Sequence, residues 1–449
     1  AKDPTDDSTL LRLKDELFDA EQEYYNFQQK LKERNPNYFD IRYNESFVSV
    51  EEVQQELLEP SQALVEYFLA DSVLYIMAIT PQDYSLAAVQ RDFSLNGWIA
   101  QLRQGLATPA SVFEETDEDR ISKKRAYTEA AFALYEKLVQ PVFPVIAGQE
   151  EWIIVPDSIT SVIPFDVLLS EKPDMAQSFR SYPYLLKQYA ISYAFSASFL
   201  KSVKRRPGGC PNCKNLLVLA PGYGVSPTPS EFGPLTHNIH RNSALAKAFG
   251  GTLDTFPTKA NFFAAAPNYH VIHCSMHAKA NPQQGVQSFL AFPSQSAEQP
   301  FIPLYVRELY SMNLRAELVV LSACETGFGE LKQTDGIISL GQGIAYAGAK
   351  SLITSLWKLE GSSTYDVMDQ FYAELKNSGN SKSKALQLAK LHYLQHSNRP
   401  EPAYWAGLIA IGDMEPIDWK KGRQYPRLIW VLAGLAVLSL AFFLWKRKG

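Results

Sequence analysis

The sequence predicts an α/β protein built around a mainly parallel sheet that is flanked by helices. Short apolar segments of strand length alternate with amphipathic segments of helical period over most of the chain, which is the pattern of layered α/β domains. One further helix is predicted near each end of the chain. With 449 residues, of which 46% are apolar and 20% charged, the chain can bury a large core.

Charge and cysteine content exclude two classes of protein. The 43 basic and 48 acidic residues give a net charge of -5, and no long basic stripe is present, so we expect no nucleic-acid partner. Four cysteines are too few for a disulfide scaffold in a chain of this length.

The first predicted element is a helix from Ser8 to about Arg34, within a helical segment at residues 1–45. Its apolar residues recur at helical spacing: Leu10, Leu13, Leu17, Tyr24, Phe27 and Leu31. Because one helix cannot bury its own apolar stripe, the segment is either the end of an upstream helical array or a helix docked on the main domain. The start at Ala1 and the polar sequence that follows it predict a processed or truncated N-terminus.

Two α/β halves follow, at residues 60–203 and 216–415. The first half contains a predicted hairpin, ALVEYFL with VLYIMAIT, a helix at 122–139 and a strand at 152–158. The second half contains four short apolar strands, predicted to be parallel, at 216–222, 269–278, 317–327 and 350–357. Its predicted helices lie at 243–251, 337–347, 363–376 and 381–396.

The segment between the halves, residues 204–215, reads KRRPGGCPNCKN and predicts an exposed linker. Cys210 and Cys213 have the spacing of half a zinc site or of a redox pair. No second Cys-x-x-C accompanies them in the sequence, so a plain loop is the favoured interpretation.

Near the C-terminus, residues 428–445 form an uncharged stretch of 18 residues that as a helix would be about 27 Å long, close to the thickness of a bilayer core. Trp430 and Trp445 lie near its ends, and basic residues flank both sides, which is typical of a membrane anchor. A buried core helix is the alternative. We therefore expect a lipid bilayer as a partner, with the orientation of the chain undecided.

Two reactive residues are predicted at the carboxyl ends of two strands, where open parallel sheets place their sites. The run YHVIHCSMH ends in His277, and the run ELVVLSAC ends in Cys324. A cysteine nucleophile needs a base to form thiolate and amide donors to stabilise an oxyanion. We predict His277 as the base, Cys324 as the nucleophile, and the backbone amides of Ala278 and Cys324 as the oxyanion donors.

Two further histidines, His270 and His273, precede His277 and allow a metal-site interpretation. Alternation along a strand sends His273 and His277 to one face and His270 to the other, and the region offers too few other ligands, so no metal is predicted. Cys274 is predicted to be a core residue.

Six motifs in order make the chain similar to the CHAT family of caspase-like cysteine peptidases, the group that includes caspases, separases and gingipains. They are LVEYFLADSVLYIMAIT, IIVPDSITSVIPFDVLL, VIHCSMHA, LVVLSACETGFG, DGIISLGQGIAYAGAKSLITSLWKLEGSSTYDVMDQFYAEL and PAYWAGLIAIGD. The resemblance covers most of residues 60–415. It implies a caspase-like fold, a noncatalytic first half, and peptide hydrolysis by His277 and Cys324 through a thioester, without a cofactor.

The resemblance also implies roles for other residues. Related peptidases often read a basic P1 side chain with an acid, and Glu360 and Asp335 are the candidates here. Glu325 is interpreted as structural. The family often has glycine where this chain has Ala278, which puts the oxyanion geometry in question. The basic residues 204–206 form a candidate self-cleavage site, with a solvated linker as the alternative.

The first functional hypothesis is a membrane-anchored cysteine endopeptidase, with a peptide or protein substrate. The family often follows tetratricopeptide arrays, so residues 1–45 are interpreted as the possible end of one, and an activating protein partner is expected. A bacterial inner membrane is the expected location. The alternatives are an inactive, pseudoprotease-like interaction module and a metal or redox protein.

Overall fold

In the computed structural model of the protein, the described part of the chain comprises residues 4–43, 47–90, 94–106, 116–206, 212–222, 235, 238–281, 284–294, 296, 299, 301–322, 335–357, 359–377 and 379–419. Over these residues, no helix has both the length and the hydropathy that a membrane span requires. The predicted anchor at 428–445 lies outside the described residues, so it stays a prediction.

The central element is an 11-stranded sheet with the strand order β3-β2-β1-β4-β5-β14-β13-β12-β8-β6-β7. A second, three-stranded sheet has the order β11-β10-β9. The strands are β1 (Gln62–Leu69), β2 (Val73–Ile79), β3 (Tyr84–Gln90), β4 (Glu151–Val155), β5 (Ala190–Tyr193), β6 (Lys214–Leu219), β7 (Thr252–Asp254), β8 (Tyr269–Cys274), β9 (Ala278–Lys279), β10 (Phe289–Pro293), β11 (Phe301–Tyr305), β12 (Leu318–Leu321), β13 (Ser351–Ser355) and β14 (Leu408–Gly412).

Helices cover both faces of the large sheet. They are α1 (Pro4–Arg34), α2 (Pro36–Tyr43), α3 (Val50–Glu52), α4 (Ser94–Gly105), α5 (Asp117–Leu138), α6 (Phe143–Ile146), α7 (Ala197–Arg205), α8 (Asn238–Ala248), α9 (Lys259–Ala265), α10 (Val306–Leu309), α11 (Asp335–Tyr346), α12 (Gly361–Asn377) and α13 (Lys382–His396). The mixed α/β architecture that the sequence predicts is confirmed.

The sheet contains two blocks of parallel strands and is antiparallel at two places. Strands β6, β7, β8, β12 and β13 run parallel, as do β1, β4, β5 and β14. The strand β14 is antiparallel to β13, and β1, β2 and β3 form an antiparallel meander. The four strands predicted to be parallel in the second half are therefore confirmed. The pairing of β14 with β5 makes one continuous sheet across both halves.

One hydrophobic core also spans the two halves. It joins residues of the first half, such as Trp152 and Phe165, to residues of the second, such as Val320, Phe371 and Trp405. A buried ion pair lies across the same interface, between Lys390 of α13 and Asp166, with 3% and 8% of their side chains exposed. Desolvation raises the pKa of Asp166, against the opposing effect of Lys390.

Residues 204 and 205 belong to a helix and not to the predicted exposed loop. Lys204 and Arg205 end helix α7 and form ion pairs with Glu415 and Glu56, at 3.4 and 2.7 Å. Arg206 is half-buried and donates to the Ala345 carbonyl at 3.3 Å, and desolvation lowers its pKa to about 10. Because a peptidase cleaves extended chain, the helical Lys204 and Arg205 do not fit the proposed self-cleavage site.

Candidate functional site

The candidate site lies at the carboxyl edge of β6, β8 and β12, which are neighbours in the sheet. Leu321 of β12 is the register partner of Cys274 of β8. The Ser322 N–H extends this ladder by donating to the Cys274 carbonyl at 3.2 Å. His277 and Cys324 therefore each follow the matched pair by three residues in the sequence. Cys324 itself lies outside the described residues, so its role stays a prediction.

His277 lies in a short connection between the two sheets. The strand β8 ends at Cys274, earlier than predicted, and β9 begins at Ala278 in the small sheet. The strand alternation used to place His277 therefore does not extend to it. The His277 carbonyl accepts a hydrogen bond from the Ala291 N–H at 2.9 Å. Its side chain is 2% exposed, so the imidazole is shielded from solvent rather than open to it.

Ala278 adopts ordinary strand geometry. Positive φ occurs at one non-glycine residue in the described part of the chain, Ser158, and not at Ala278. Ala278 pairs with Leu290, next to the hydrogen-bonded pair of His277 and Ala291. In antiparallel strands this alternation turns the Ala278 N–H away from β10, toward the open side of β9. Alanine is therefore compatible with the backbone found where related chains often have glycine.

The loop that carries His277 is fixed by a buried polar cluster centred on Asn238 of α8. The Asn238 side-chain amide donates to the Ser275 carbonyl at 2.8 Å and to the Pro221 carbonyl at 3.2 Å. Its side-chain oxygen accepts from Ser275 Oγ and from the Tyr365 hydroxyl, the latter at 3.0 Å. The cluster thus ties the ends of β6 and β8 to α12. Asn238 and Tyr365 could not be identified from sequence patterns, because they meet Ser275 from distant parts of the chain.

His273 forms a second buried link, to the end of β12. Its Nδ1 lies 2.9 Å from the Tyr372 hydroxyl and its Nε2 lies 3.1 Å from Ser322 Oγ. Burial lowers the pKa of His273 to about 3, so the imidazole is neutral at physiological pH. A neutral imidazole donates from one nitrogen and accepts at the other, so Tyr372, His273 and Ser322 form one directed chain of hydrogen bonds.

Of the two acidic pocket candidates, the structure describes the side chain of Glu360 but not that of Asp335. Glu360 immediately precedes α12, beyond the end of β13, and its carboxylate accepts from Arg399 at 2.8 Å. The Arg399 guanidinium also lies over the Tyr404 ring, 5.3 Å from its centroid. Asp335 is the first residue of α11, but its side chain is not among those described. Glu325 lies outside the described residues.

The metal interpretation has little support among the described side chains. No group of three or more His, Cys, Asp and Glu residues within them has the arrangement of a metal site. Cys213 is 1% exposed and disulfide-bonded, so this sulfur is not open to a metal ion. Cys274 is a buried thiol in the core, as predicted. Cys210 lies outside the described residues.

Comparison with known proteins identifies the family. The sequence model described as CHAT domain matches residues 128–413, which is more than half of the chain. No curated protein matches.

Solved structures give distant likenesses. The separase–securin complex of Saccharomyces cerevisiae is similar with a TM-score of 0.46 and 10% identity, over 81% of this chain and 30% of that one. Gingipain R, an Arg-specific cysteine proteinase, is similar with a TM-score of 0.40 and 10% identity, over 72% and 75%. The chain thus spans less than a third of the length of the yeast chain that it matches.

Proposed function

Because the chain belongs to the CHAT domain family, we propose that it is a cysteine endopeptidase in which His277 activates Cys324. The parallel register of Leu321 with Cys274 is the observation that carries this proposal. Cys324 is two residues beyond Ser322, a distance that extended chain covers in at most about 7 Å. This short distance supports a position for Cys324 near the sheet edge that carries His277.

The proposed reaction uses only side chains and water. His277 takes the Cys324 proton, and the thiolate attacks the substrate carbonyl carbon to form a tetrahedral intermediate. The outward-directed Ala278 N–H, with the Cys324 N–H, stabilises the oxyanion. The intermediate collapses as His277 protonates the leaving amine, which leaves a thioester. Water then attacks the thioester and passes a proton to His277, which returns it to the thiolate as the carboxylic acid leaves.

Specificity for a basic P1 residue is a finer part of the proposal. Glu360 already binds a guanidinium, that of Arg399, so its carboxylate is accessible to a cation of this shape. Their side chains are 39% and 43% exposed, and ion pairs at such exposure contribute about 0 to 1 kcal/mol. A substrate arginine could therefore displace Arg399 at low cost. Asp335 remains the second candidate.

The burial of His277 favours a second candidate function. A substrate cannot reach an imidazole that is 2% exposed without a rearrangement. An interaction module that has kept the fold without turnover would need no such opening. For the enzyme, we therefore propose that an activating protein partner opens the site. We also propose that residues 428–445 anchor the chain in a bacterial inner membrane. Residues 1–45 would then be tetratricopeptide-type helices.

Fluorogenic peptides with Arg, Lys or Asp at P1 test the enzyme, with the full chain in detergent beside its Cys324→Ala variant. We expect turnover of the Arg and Lys peptides that is lost in the variant. Turnover that persists in the variant would disprove the role of Cys324. Absence of turnover, with Cys324 unreactive toward iodoacetamide even after mild urea treatment that exposes His277, would favour the interaction module.

A further inference from the structure

The strand β3 forms one edge of the 11-stranded sheet, beyond β2. Its sequence, YSLAAVQ, has no charged residue and no proline, and among the described residues no bulge interrupts its pairing with β2. Natural sheets usually protect an edge with charges, prolines, bulges or a very short strand, because an open edge pairs with other chains. This strand of seven residues has none of these features.

The direction of the open backbone groups follows from the hairpin register. The Thr80 N–H donates to the Asp83 carbonyl at 2.8 Å, so the pair of residues 80 and 83 is hydrogen-bonded. Along an antiparallel ladder, hydrogen-bonded pairs alternate with pairs that are not hydrogen-bonded. The residues whose N–H and C=O groups point away from β2 are therefore Tyr84, Leu86, Ala88 and Gln90. The contact of the Tyr84 N–H with the Asp83 carboxylate at 2.7 Å agrees with this direction.

We propose that two copies of this chain associate through β3, which pairs antiparallel with itself around a two-fold axis at Ala87. The four outward-facing residues are placed symmetrically about Ala87. In this register Leu86 faces Ala88 of the second copy and Tyr84 faces Gln90. All four positions then form hydrogen-bonded pairs, and the two central sheets become one. At the outer pairs the exposed Asp83 carboxylate must turn away from the Tyr84 N–H.

Charge and side-chain character favour a second copy of this chain as the partner that pairs with β3. The strand itself brings no like charges together, and the residues that flank it in the sequence, Asp83 and Arg91, have opposite signs. An antiparallel copy therefore sets an acid against a base at each end of the strand. The outward-facing positions of β3 also have exposed side chains, with Tyr84 and Leu86 each 59% exposed. Leu86 loses exposed apolar surface when it packs beside Ala88 of the second copy.

Disulfide trapping tests the register in the full chain in detergent micelles. The two copies of residue 87 form a pair without direct hydrogen bonds, for which the Cα separation is about 4.5 Å, within the range that a disulfide bridges. We expect Ala87→Cys to give a covalent dimer under mild oxidation, as measured by non-reducing electrophoresis and mass spectrometry. Ser85→Cys is the matched control, because its two copies would be roughly 14 Å apart.

A second measurement does not depend on new cysteines. Leu86→Lys places two like charges close to the axis, so we expect the dissociation constant from sedimentation to rise at least tenfold. Ile302→Lys is the control, since Ile302 is an exposed apolar residue, 43% exposed, on another edge strand, β11. We expect it to leave association unchanged.

Three results would overturn the proposal. The first is a monomer at all concentrations, which would leave the β3 edge to an extended peptide of another protein. The second is equal cross-linking of the Ser85→Cys and Ala87→Cys variants. The third is association that Leu86→Lys does not weaken. Comparable far-UV circular dichroism of the variants establishes that each one is folded.

Discussion

The imidazole of His273 lies 3.1 Å from the hydroxyl of Ser322, two residues before the proposed nucleophile. Both side chains are buried, and Tyr372 of α12 holds the other ring nitrogen of His273. His273 therefore connects the end of β12 to the helix layer. Its role in the proposed reaction is to position the chain that leads to Cys324, not to exchange protons with substrate.

Loss of this link is expected to slow the reaction of Cys324. Tyr372→Phe removes only a hydroxyl and leaves His273 Nδ1 without its partner, which costs about 1 to 3 kcal/mol of stability. We expect the rate of Cys324 alkylation by iodoacetamide to fall several-fold, measured by peptide mass spectrometry. Tyr67→Phe is the matched control, because the Tyr67 hydroxyl makes a buried hydrogen bond to the Leu138 carbonyl, at 2.8 Å, in the first half. Equal rates in both variants would refute a positioning role.

The buried His273 also predicts how stability depends on pH. Its pKa is about 3 in the folded protein, below the ordinary value of 6.5, so only the unfolded chain takes up this proton at mildly acidic pH. The stabilisation is fully present above pH 6.5 and falls by about 1.4 kcal/mol per pH unit below it, toward pH 3. Urea unfolding at pH 7 and pH 5 measures this loss. We expect His273→Gln to be less stable at pH 7 but to lose less between the two pH values.

The pair of Glu360 and Arg399 predicts an effect on substrate binding. If Glu360 receives a basic P1 side chain, Arg399→Gln frees its carboxylate, and KM for Arg peptides should fall about two- to five-fold with kcat unchanged, since an exposed pair contributes up to about 1 kcal/mol. Glu360→Gln should raise KM for Arg and Lys peptides. Arg241→Gln, which breaks a comparable pair with Asp366 at 2.8 Å, controls for a general loss of surface charge. An unchanged KM in Glu360→Gln would exclude it as the pocket acid.

The buried pair of Lys390 and Asp166 predicts that the two halves unfold together. Removal of one partner leaves an uncompensated charge in the core, so Asp166→Asn should lower the free energy of unfolding by about 3 to 5 kcal/mol. Asp117→Asn breaks the exposed pair with Arg120 and should cost at most about 1 kcal/mol. Fluorescence and circular dichroism during urea unfolding give the values. Two separate transitions in the wild type would contradict a common core.

The sequence predicted the features that depend on local pattern. The helix near the N-terminus, the hairpin of β1 and β2, and the parallel strands of the second half all follow from hydrophobic period and turn residues. Strand pairing over long sequence distances could not be predicted, so β14, which joins the two halves of the sheet, was missed. The helical end of α7 was also missed, because its basic residues find acidic partners, Glu56 and Glu415, far along the chain.

In the candidate site too, local features were predictable and long-range contacts were not. Placement of His277 near a strand end was predictable from the apolar run, although the strand ends at Cys274, earlier than predicted. Its burial was not, because the loop that carries it is fixed by the Asn238 cluster, which contains residues up to 127 positions apart. The ion pair that occupies Glu360 likewise comes from Arg399, beyond two helices.

The pH dependence of Cys324 alkylation tests the central claim most directly, because it reports on the pairing with His277 without requiring substrate turnover. The measurement follows the rate of iodoacetamide reaction at Cys324 between pH 5 and pH 10, in the wild type and in His277→Asn. If the two residues form a pair, the wild-type thiol titrates below its ordinary pKa of about 8.5 and the variant returns to that value. Identical profiles, with both pKa values near or above the ordinary one, would contradict the account.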